Sequence, residues 1–327
     1  MQQIRSRKEE DISEFIRLHR DVIEKHSGKI SNVTIMSGGL VNYVYRIQGE
    51  CSTVIAKLRK SEFSALPNIR INPFDIVNES QAILQLQSEF PNVFPKHLGF
   101  YPDRSMLIIS DIMENQHNMQ NRFADKSVDT KIVEELGKQI AEIHYRFRNI
   151  SVPIRKDGDI EYYSQNLTYR LGYHDNSALE NLIDKLMTMP RQLIHADLSP
   201  KNIGIDDVGR VHICDLEMVH MGNPIFDLGF VIAHVLVHTI KEEQSTSLVE
   251  SLLKGYYSII HPMNVDSEIL KQITLGIILY RLDNHIIPYE ININDFEKNK
   301  IVRGAKTMLS CVGDNWREII GFLSERD

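Results

Sequence analysis

The stretch best suited to chemistry runs His195-Ala196-Asp197-Leu198-Ser199-Pro200-Lys201-Asn202 and continues through Ile203-Gly204-Ile205, a turn at Asp206 to Gly209, and Val211-His212-Ile213-Cys214-Asp215. Short apolar runs on either side of a turn-rich Asp-Asp-Val-Gly segment pair as a hairpin. Closing that hairpin carries Asn202, just before it, beside Asp215, just after it. An Asn carbonyl and an Asp carboxylate held at one point are hard oxygen ligands of the kind Mg²⁺ takes, together with water and substrate phosphates. Asp197, five residues before Asn202, stands near the same metal. Phosphoryl transfer asks a protein for positioning, charge neutralisation and a carboxylate that orients the attacking hydroxyl and accepts its proton. Asp197, Asn202 and Asp215 supply these parts.

Other elements must hold that loop and bring it a substrate. Ile12, Phe15, Ile16, Val22 and Ile23 recur at helical spacing over residues 9 to 26, ahead of Gly28, where a helix ends. From 33 to 58 the pattern becomes β. It predicts a strand to Met36, a turn at Gly38-Gly39, a strand through Val44 and Ile47, a turn at Gly49-Glu50 and a strand over 53–58. These three are antiparallel. A helix over about 77 to 87 presents Glu79, Ile83 and Leu86 on one side, because positions four and seven residues on share a face. Residues 106–110 read as a short buried strand. Beyond Glu114 the chain reads as mainly helical, with Val133, Leu136, Ile140, Ile143 and Phe147 in one apolar stripe. Residues 226–237 read as a buried helix, too short to cross a bilayer. Two Asn-rich and charged stretches, 115–129 and 148–176, are expected to be loops or mobile covers. At 327 residues the chain suits two lobes sharing a cleft, divided into 1–113 and 114–327.

The His-x-Asp-x-x-x-x-Asn pattern from His195 to Asn202, followed by Asp215, resembles the motif and metal-binding Asp of the aminoglycoside phosphotransferase, choline kinase and methylthioribose kinase superfamily. The resemblance covers nearly the whole chain in order. It implies an α+β, bilobal, protein-kinase-like fold, with a small antiparallel-sheet N-terminal lobe carrying one key helix and a larger, mainly helical C-terminal lobe. It further implies that 1–113 bind the nucleotide and that 114–327 carry the catalytic loop and the acceptor site. Asp197 is then the catalytic carboxylate, and Asn202 and Asp215 hold Mg²⁺. Lys57 binds the α- and β-phosphates of ATP or GTP, and Glu79 is its ion-pair partner. Ser110 and Ile112 border the nucleotide at a hinge. The turn Ser37-Gly38-Gly39-Leu40-Val41-Asn42 offers backbone amides that can cradle phosphates, because Gly lets the chain approach closely. It lacks the three-glycine spacing of protein kinases and is similar to the Gly-Gly-x-x-Asn turn of small-molecule kinases, with Asn42 in the matching position. The resemblance makes Asp227 the buried aspartate that holds the loop backbone. A macrodipole-favoured Asp in a first turn remains an alternative.

Taken singly, Lys57 also reads as a lysine on a solvated strand face and Glu79 as an exposed helix glutamate. Their order along the chain, each on its expected element, favours the site. Glu217 is similar to the second acid of the superfamily's Asp-x-Glu pattern and stays open between a metal-associated acid and a surface acid. His234 and His238 stand four apart on a helix but lack the Glu of a His-Glu-x-x-His zinc site, so they read as buried or interface histidines. No Gly-x-Ser-x-Gly elbow surrounds Ser199, which excludes it as a triad nucleophile. An Asp-Phe-Gly triplet and a terminal Ala-Pro-Glu are both missing, and Ser199 stands two residues after Asp197; these departures argue against a protein kinase. The full set Lys57, Asp197, Asn202 and Asp215 argues against a catalytically silent kinase-like binding protein.

Composition narrows the partners. The hydrophobic share of 42% and charged share of 25% are those of an ordinary globular chain. A formal net charge of -7 without a run of Lys or Arg argues against nucleic acid. The three cysteines are odd in number and widely spaced, which excludes a disulfide framework and a zinc knuckle. The charged first ten residues carry no apolar core, so no secretory signal and no membrane association are expected. A cytoplasmic enzyme is the expectation. It would move the γ-phosphate of ATP or GTP to a hydroxyl of a small acceptor. The acid-bearing run Arg281-Leu282-Asp283-Asn284-His285, through Glu290, Asp295 and Glu297, suggests that the acceptor is an aminoglycoside or another cationic metabolite. The run also resembles an Arg-x-Asp-Gly-x-x-Pro-x-Glu stretch, with Asn284 in place of the glycine. A neutral sugar or an amino alcohol therefore stays open as acceptor.

Overall fold

The computed structural model describes residues 2–36, 41–62, 64, 70–113, 117–150, 154–155, 159–172, 176–283, 291, 293–311 and 313–324. Ser37, Gly38 and Gly39 of the expected phosphate turn, and Asn284, His285 and Glu290 of the acid-bearing run, lie outside these residues. The chain divides into two compact units, Met1–Asn115 and Gln116–Asp327.

Period-two apolar positions build the sheet of the first unit. Helix α1 (Gln2–Ser27) precedes β1 (Ile30–Ile35), β2 (Tyr43–Gly49) and β3 (Thr53–Leu58); α2 (Ile76–Glu89), β4 (His97–Tyr101) and β5 (Met106–Ser110) follow. The sheet order is β1-β2-β3-β5-β4, with antiparallel neighbours throughout. Alternate residues Tyr45, Ile47, Val54, Ala56, Met106 and Ile108 form one apolar core with Phe15, Val22 and Ile23 of α1. Strand β4 was not expected from the sequence. All five of its residues are half-buried, so it lacks the inside-outside alternation that marks a strand.

The second unit runs β6 (His117–Asn118), α3 (Met119–Ala124), α4 (Thr130–Phe147), α5 (Asp159–Leu171), α6 (Ser177–Thr188), β7 (Gln192–Ile194), β8 (Ile203–Ile205), β9 (Val211–Ile213) and β10 (His220–Gly222), then α7 (Ile225–Thr239), α8 (Ser245–Tyr257), α9 (Ser267–Leu282), α10 (Asp295–Met308) and α11 (Trp316–Ser324). Strands β6, β8 and β9 form one small sheet, and β10 pairs with β7. Helices α4 and α8 meet backbone to backbone through Gly137 and Gly255. A Cβ on either would fall about 2 Å from a carbonyl oxygen of the facing helix, Leu252 or Glu134, so only glycine fits. Helix α7 is buried except at His238, as its apolar run, interrupted only by Asp227 and His234 over 226–237, predicts.

Two expectations are corrected here. Residues 148–176 contain α5 rather than only loop, and 115–129 contain β6 and α3. The buried face of α5 is Tyr163, Asn166, Leu167, Arg170 and Leu171. Two of those inward positions carry polar side chains, which weakens the apolar periodicity that announces a helix. Helix α3 buries only Met119 and Phe123, and Asn118 caps it by accepting from Asn121 N at 2.9 Å. No helix among the described residues is long and apolar enough to cross a membrane.

Candidate active site

In the first unit, β3 and α2 bring Lys57 and Glu79 together. Lys57 Nζ lies 2.5 Å from Glu79 Oε1, and the side chains are only 6% and 1% exposed. Neither is the solvated surface residue it could have been when read singly. Glu79 also faces Asn42, whose Nδ2 is 3.5 Å from Oε2. Asn42 Oδ1 accepts from Arg59 Nε at 2.8 Å. The resemblance placed Asn42 at a phosphate turn; the structure makes it the link between Glu79 and Arg59. Sequence reasoning missed Arg59, although it stands two residues beyond Lys57, the spacing that returns to one face of an extended chain.

Ser110 closes β5, and its amide and hydroxyl both bond the Lys96 backbone, at 3.0 and 2.8 Å. Ile112 follows in a bend. Between them Asp111, also missed, receives Arg46 Nη2 at 3.3 Å and Met113 N at 2.9 Å. These bonds shape the segment that the resemblance assigned to the hinge.

In the second unit the expected hairpin forms. Ile203, Gly204 and Ile205 pair with Ile213, His212 and Val211, and Cys214 N donates to Asn202 O at 3.0 Å. Asp206 ties the tip by accepting from Val208 N, Arg210 N and Arg210 Nε. Burial works to raise its pKa, but the bonds from Arg210, His212 and Val208 prevail and bring it to about 2. The register sets Asn202 opposite Cys214, with Asp215 the next residue beyond the open end.

The loop before the hairpin is held in a conformation few side chains adopt. Ala196 and Asp215 have φ of 62° and 65°, the left-handed region that costs a non-glycine residue energy. Asp227, in the first turn of α7, offsets this by accepting from His195 N and Ala196 N, both at 2.7 Å. Burial alone would raise the Asp227 pKa. The hydrogen bond and charge of His144, with His195, outweigh it and hold the carboxyl below its ordinary value. His144 is itself fixed by Tyr256 Oη at 2.9 Å. His195 Nδ1 accepts from Asp197 N at 3.2 Å. Its Nε2 must then carry the hydrogen and donate to Cys214 O at 3.2 Å. The histidine thus joins the two ends of the motif.

Asn202 Nδ2 donates to Asp197 O at 3.0 Å and to Asp197 Oδ2 at 3.2 Å. Asn202, its nitrogen so used, keeps an amide oxygen, a hard donor, and Asp215 follows the hairpin with a carboxylate. This pair fits Mg²⁺, which binds through one or two protein oxygens and completes its shell with water and phosphate. Among the described residues no three His, Cys, Asp or Glu side chains are grouped to hold a metal by themselves. Glu217 sits in a single 3-10 turn whose carbonyl receives Arg155 Nη2 at 2.7 Å.

Sequence reasoning also missed two cations beside Asp197. Arg170 Nη2 and Arg281 Nη2 lie 3.7 and 3.6 Å from Asp197 Oδ1. Arg170 was hidden in the supposed loop, and Arg281 was read only as part of the acid-bearing run. Two acids of that run are already engaged. Asp283 pairs with Lys306 at 2.8 Å, and Glu297 pairs with Lys241 while completing the capping box of α10 with Asn294. A cavity of about 680 Å³ lies among Ile240, Lys241, Phe296, Lys300, Arg317 and Ile320 and includes none of the residues of this loop.

A hairpin with Asn202 and Asp215 at its open end, and a carboxylate held against that Asn, are parts suited to phosphoryl transfer. The family model described as the phosphotransferase enzyme family matches residues 33–262, and the chain belongs to this family. It is a phosphotransferase with the α+β, protein-kinase-like fold. Among curated proteins it is similar to the 4-hydroxytryptamine kinase of Psilocybe cubensis, 24% identical over 268 residues that cover 69% of this chain and 74% of the kinase. Among solved structures it is similar to a choline/ethanolamine kinase family protein from Mesorhizobium loti, with a TM-score of 0.55, 16% identity, and 95% and 99% of the two chains covered. It is also similar to an amicoumacin kinase in complex with AMP-PNP, Ca²⁺ and Ami, with a TM-score of 0.55, 14% identity, and 89% and 92% covered.

Proposed function

We propose that this phosphotransferase moves the γ-phosphate of ATP or GTP to a hydroxyl of a small molecule. The observation that carries the reading is Asp197, whose Oδ2 is held by Asn202 at 3.2 Å while Asn202 keeps its carbonyl for a metal. Asp197 orients the acceptor hydroxyl. The acceptor oxygen bonds to phosphorus, and the bond from phosphorus to the β-phosphate oxygen breaks with its electron pair left on that oxygen. The hydroxyl proton passes to Asp197. Asn202 and Asp215 would hold Mg²⁺, which when bound neutralises charge on the phosphate oxygens. Lys57, oriented by Glu79, binds the nucleotide phosphates, with Ser110 and Ile112 against the nucleotide. The backbone of the Ser37-Gly38-Gly39 turn covers the phosphates. Residues 1–113 take the nucleotide, and 114–327 take the acceptor.

The amicoumacin kinase was solved with AMP-PNP, which supports a nucleotide co-substrate here. None of the three cysteines is in a disulfide, which suits a reducing cytoplasm. The net charge of -7 favours a cationic acceptor, but its binding carboxylates would have to be others than Asp283 and Glu297. A nucleotide-consumption assay over aminoglycosides, choline, homoserine, methylthioribose and other sugars identifies the acceptor. In that assay Asp197→Asn should lower turnover about a hundredfold or more while leaving nucleotide binding intact. Turnover close to wild type on the true acceptor removes Asp197 from the mechanism.

A further inference from the structure

Two guanidinium groups close on one oxygen of Asp197. Arg170 Nη2 at 3.7 Å and Arg281 Nη2 at 3.6 Å both approach Oδ1, within ion-pair range but beyond hydrogen-bonding distance. The other oxygen, Oδ2, is the one bonded by Asn202. Oδ1 is therefore the oxygen turned toward the reaction, and it is bordered by positive charge on two sides.

Each arginine is built into its place. Arg170 projects from α5, is 4% exposed and donates through Nη1 to Ala196 O. Its guanidinium lies over the Phe230 ring, 4.9 Å from the centroid. Arg281, at the end of α9, lies over the same ring at 5.4 Å. Its Nε donates to His234 Nε2 at 3.0 Å. His234 can accept because its Nδ1 hydrogen goes to Phe230 O at 2.8 Å. Burial, then the charge of Arg281, holds the His234 pKa well below its ordinary value. Phe230 and a neutral His234 thus aim both Nη groups at one point. Arg170 Nε is buried with no hydrogen-bond partner, so the protein does not use up that guanidinium.

Asp197 supplies one negative charge to the two guanidinium groups, and the positive charge left over in a largely buried place is costly unless a second anion meets it. In a phosphotransferase one anion must come to Asp197. The hydroxyl that the carboxylate orients is the atom to which phosphorus bonds, so the phosphoryl oxygens pass beside Oδ1.

We propose that Arg170 and Arg281 form a two-guanidinium seat for the phosphoryl group in transfer. The inference rests on the reading of Asp197 as the carboxylate that orients the hydroxyl. As the acceptor oxygen approaches phosphorus and the bond to the β-phosphate oxygen lengthens, charge spreads over the equatorial oxygens. Planar N–H forks meet such oxygens better than a point charge does. An acidic group on the acceptor is the other anion that could use the pair, and the test separates the two.

The probe is ADP with Mg²⁺, without and with aluminium fluoride, which copies a planar phosphoryl group. Binding is followed by calorimetry on the wild-type protein, Arg281→Gln, Arg281→Lys and Arg170→Lys, with thermal unfolding as the control for folding. Fluoride should tighten ADP binding to the wild type. That tightening should fall by about tenfold or more in Arg281→Gln and return in part in Arg281→Lys, with binding of ADP alone unchanged. No tightening in the wild type, or equal tightening in Arg281→Gln, overturns the proposal; if that variant does not fold, Arg170→Lys decides by the same readout. With the acceptor in hand, the loss should appear in kcat. A loss confined to KM, and only for acceptors bearing a carboxylate or phosphate, makes the pair an acceptor site instead. Undiminished turnover in Asp197→Asn sinks the underlying reading, whereas a normal Asp197→Asn defect beside an unaffected Arg281→Gln sinks this inference alone.

Discussion

Asp227 accepts the backbone amides of His195 and Ala196 with its two oxygens, both at 2.7 Å, so one buried carboxylate holds the strained start of the loop that carries Asp197. Asp227→Ala leaves two buried amides and His144 without their acceptor and should cost about 3–5 kcal/mol, the range for breaking a buried charged network. Asp227→Asn keeps the shape but can accept through one oxygen only, and should fall between. Urea denaturation gives both values. A loss below about 1 kcal/mol for the alanine variant contradicts this account of the loop.

Asn202 and Asp215 should differ in what their loss does to metal binding. Asp215→Ala removes the anionic ligand and should abolish Mg²⁺-dependent nucleotide binding. Asn202→Ala removes a neutral ligand, and should weaken binding less while also releasing Asp197 from its hydrogen bonds. Calorimetric titration with Mg²⁺ and nucleotide separates the two, and an unaltered titration in Asp215→Ala excludes it as a ligand.

The buried Lys57–Glu79 pair can be tested against its own replacement. Lys57→Met alone strands a buried carboxylate and should cost about 3–5 kcal/mol, whereas Lys57→Met with Glu79→Leu should be far closer to wild type. Both proteins should lose nucleotide affinity, since the proposed function has Lys57 bind the nucleotide phosphates. If the double variant is no more stable than the single one, burial of the pair is not what sets its cost.

Two buried histidines, His220 and His234, and the half-buried His238 make stability depend on pH. Burial lowers His220 to about 3 and His238 to about 4, and holds His234 well below the ordinary 6.5. Below pH 6.5 the unfolded chain takes up protons that the folded chain refuses. Stability is thus fully present above about 6.5 and lost as pH falls toward the folded values, by about 1.4 kcal/mol per pH unit for each histidine. Between about pH 7.5 and about pH 5, His220→Gln should lose about 2 kcal/mol less than the wild type in urea titrations. Equal losses would show that His220 does not carry its share.

Much of the site was legible because it is local. The hairpin over 203–213 follows from two apolar runs around a turn, and its closure alone sets Asn202 and Asp215 at its open end. Glu79 was legible from the helix period that sets it on one side with Ile83 and Leu86, whereas Lys57 lies on the strand face opposite Val54 and Ala56 and was legible only through the resemblance and its place in the order of features. Less local features escaped. Strand β4 has no alternation to read. Helix α5 buries Asn166 and Arg170 among its apolar residues, so the functional side chain is itself what blurs the helical pattern. The acids of 283–297 looked alike in sequence, yet Lys306 and Lys241 engage two of them, a distinction that depends on partners elsewhere in the chain.

The sequence by itself determined the family, the antiparallel first strands and the order of the residues suited to phosphoryl transfer, because motifs and periodicities are properties of contiguous segments. Only the tertiary structure decided what surrounds the reacting carboxylate. Arg170 from α5 and Arg281 from α9 reach Asp197 because both lie on the Phe230 ring of α7, and Asp227 of that helix holds the loop from beneath. No local pattern encodes the approach of two helices to one oxygen over the ring of a third; packing creates it, and it gives Asp197 its positive border.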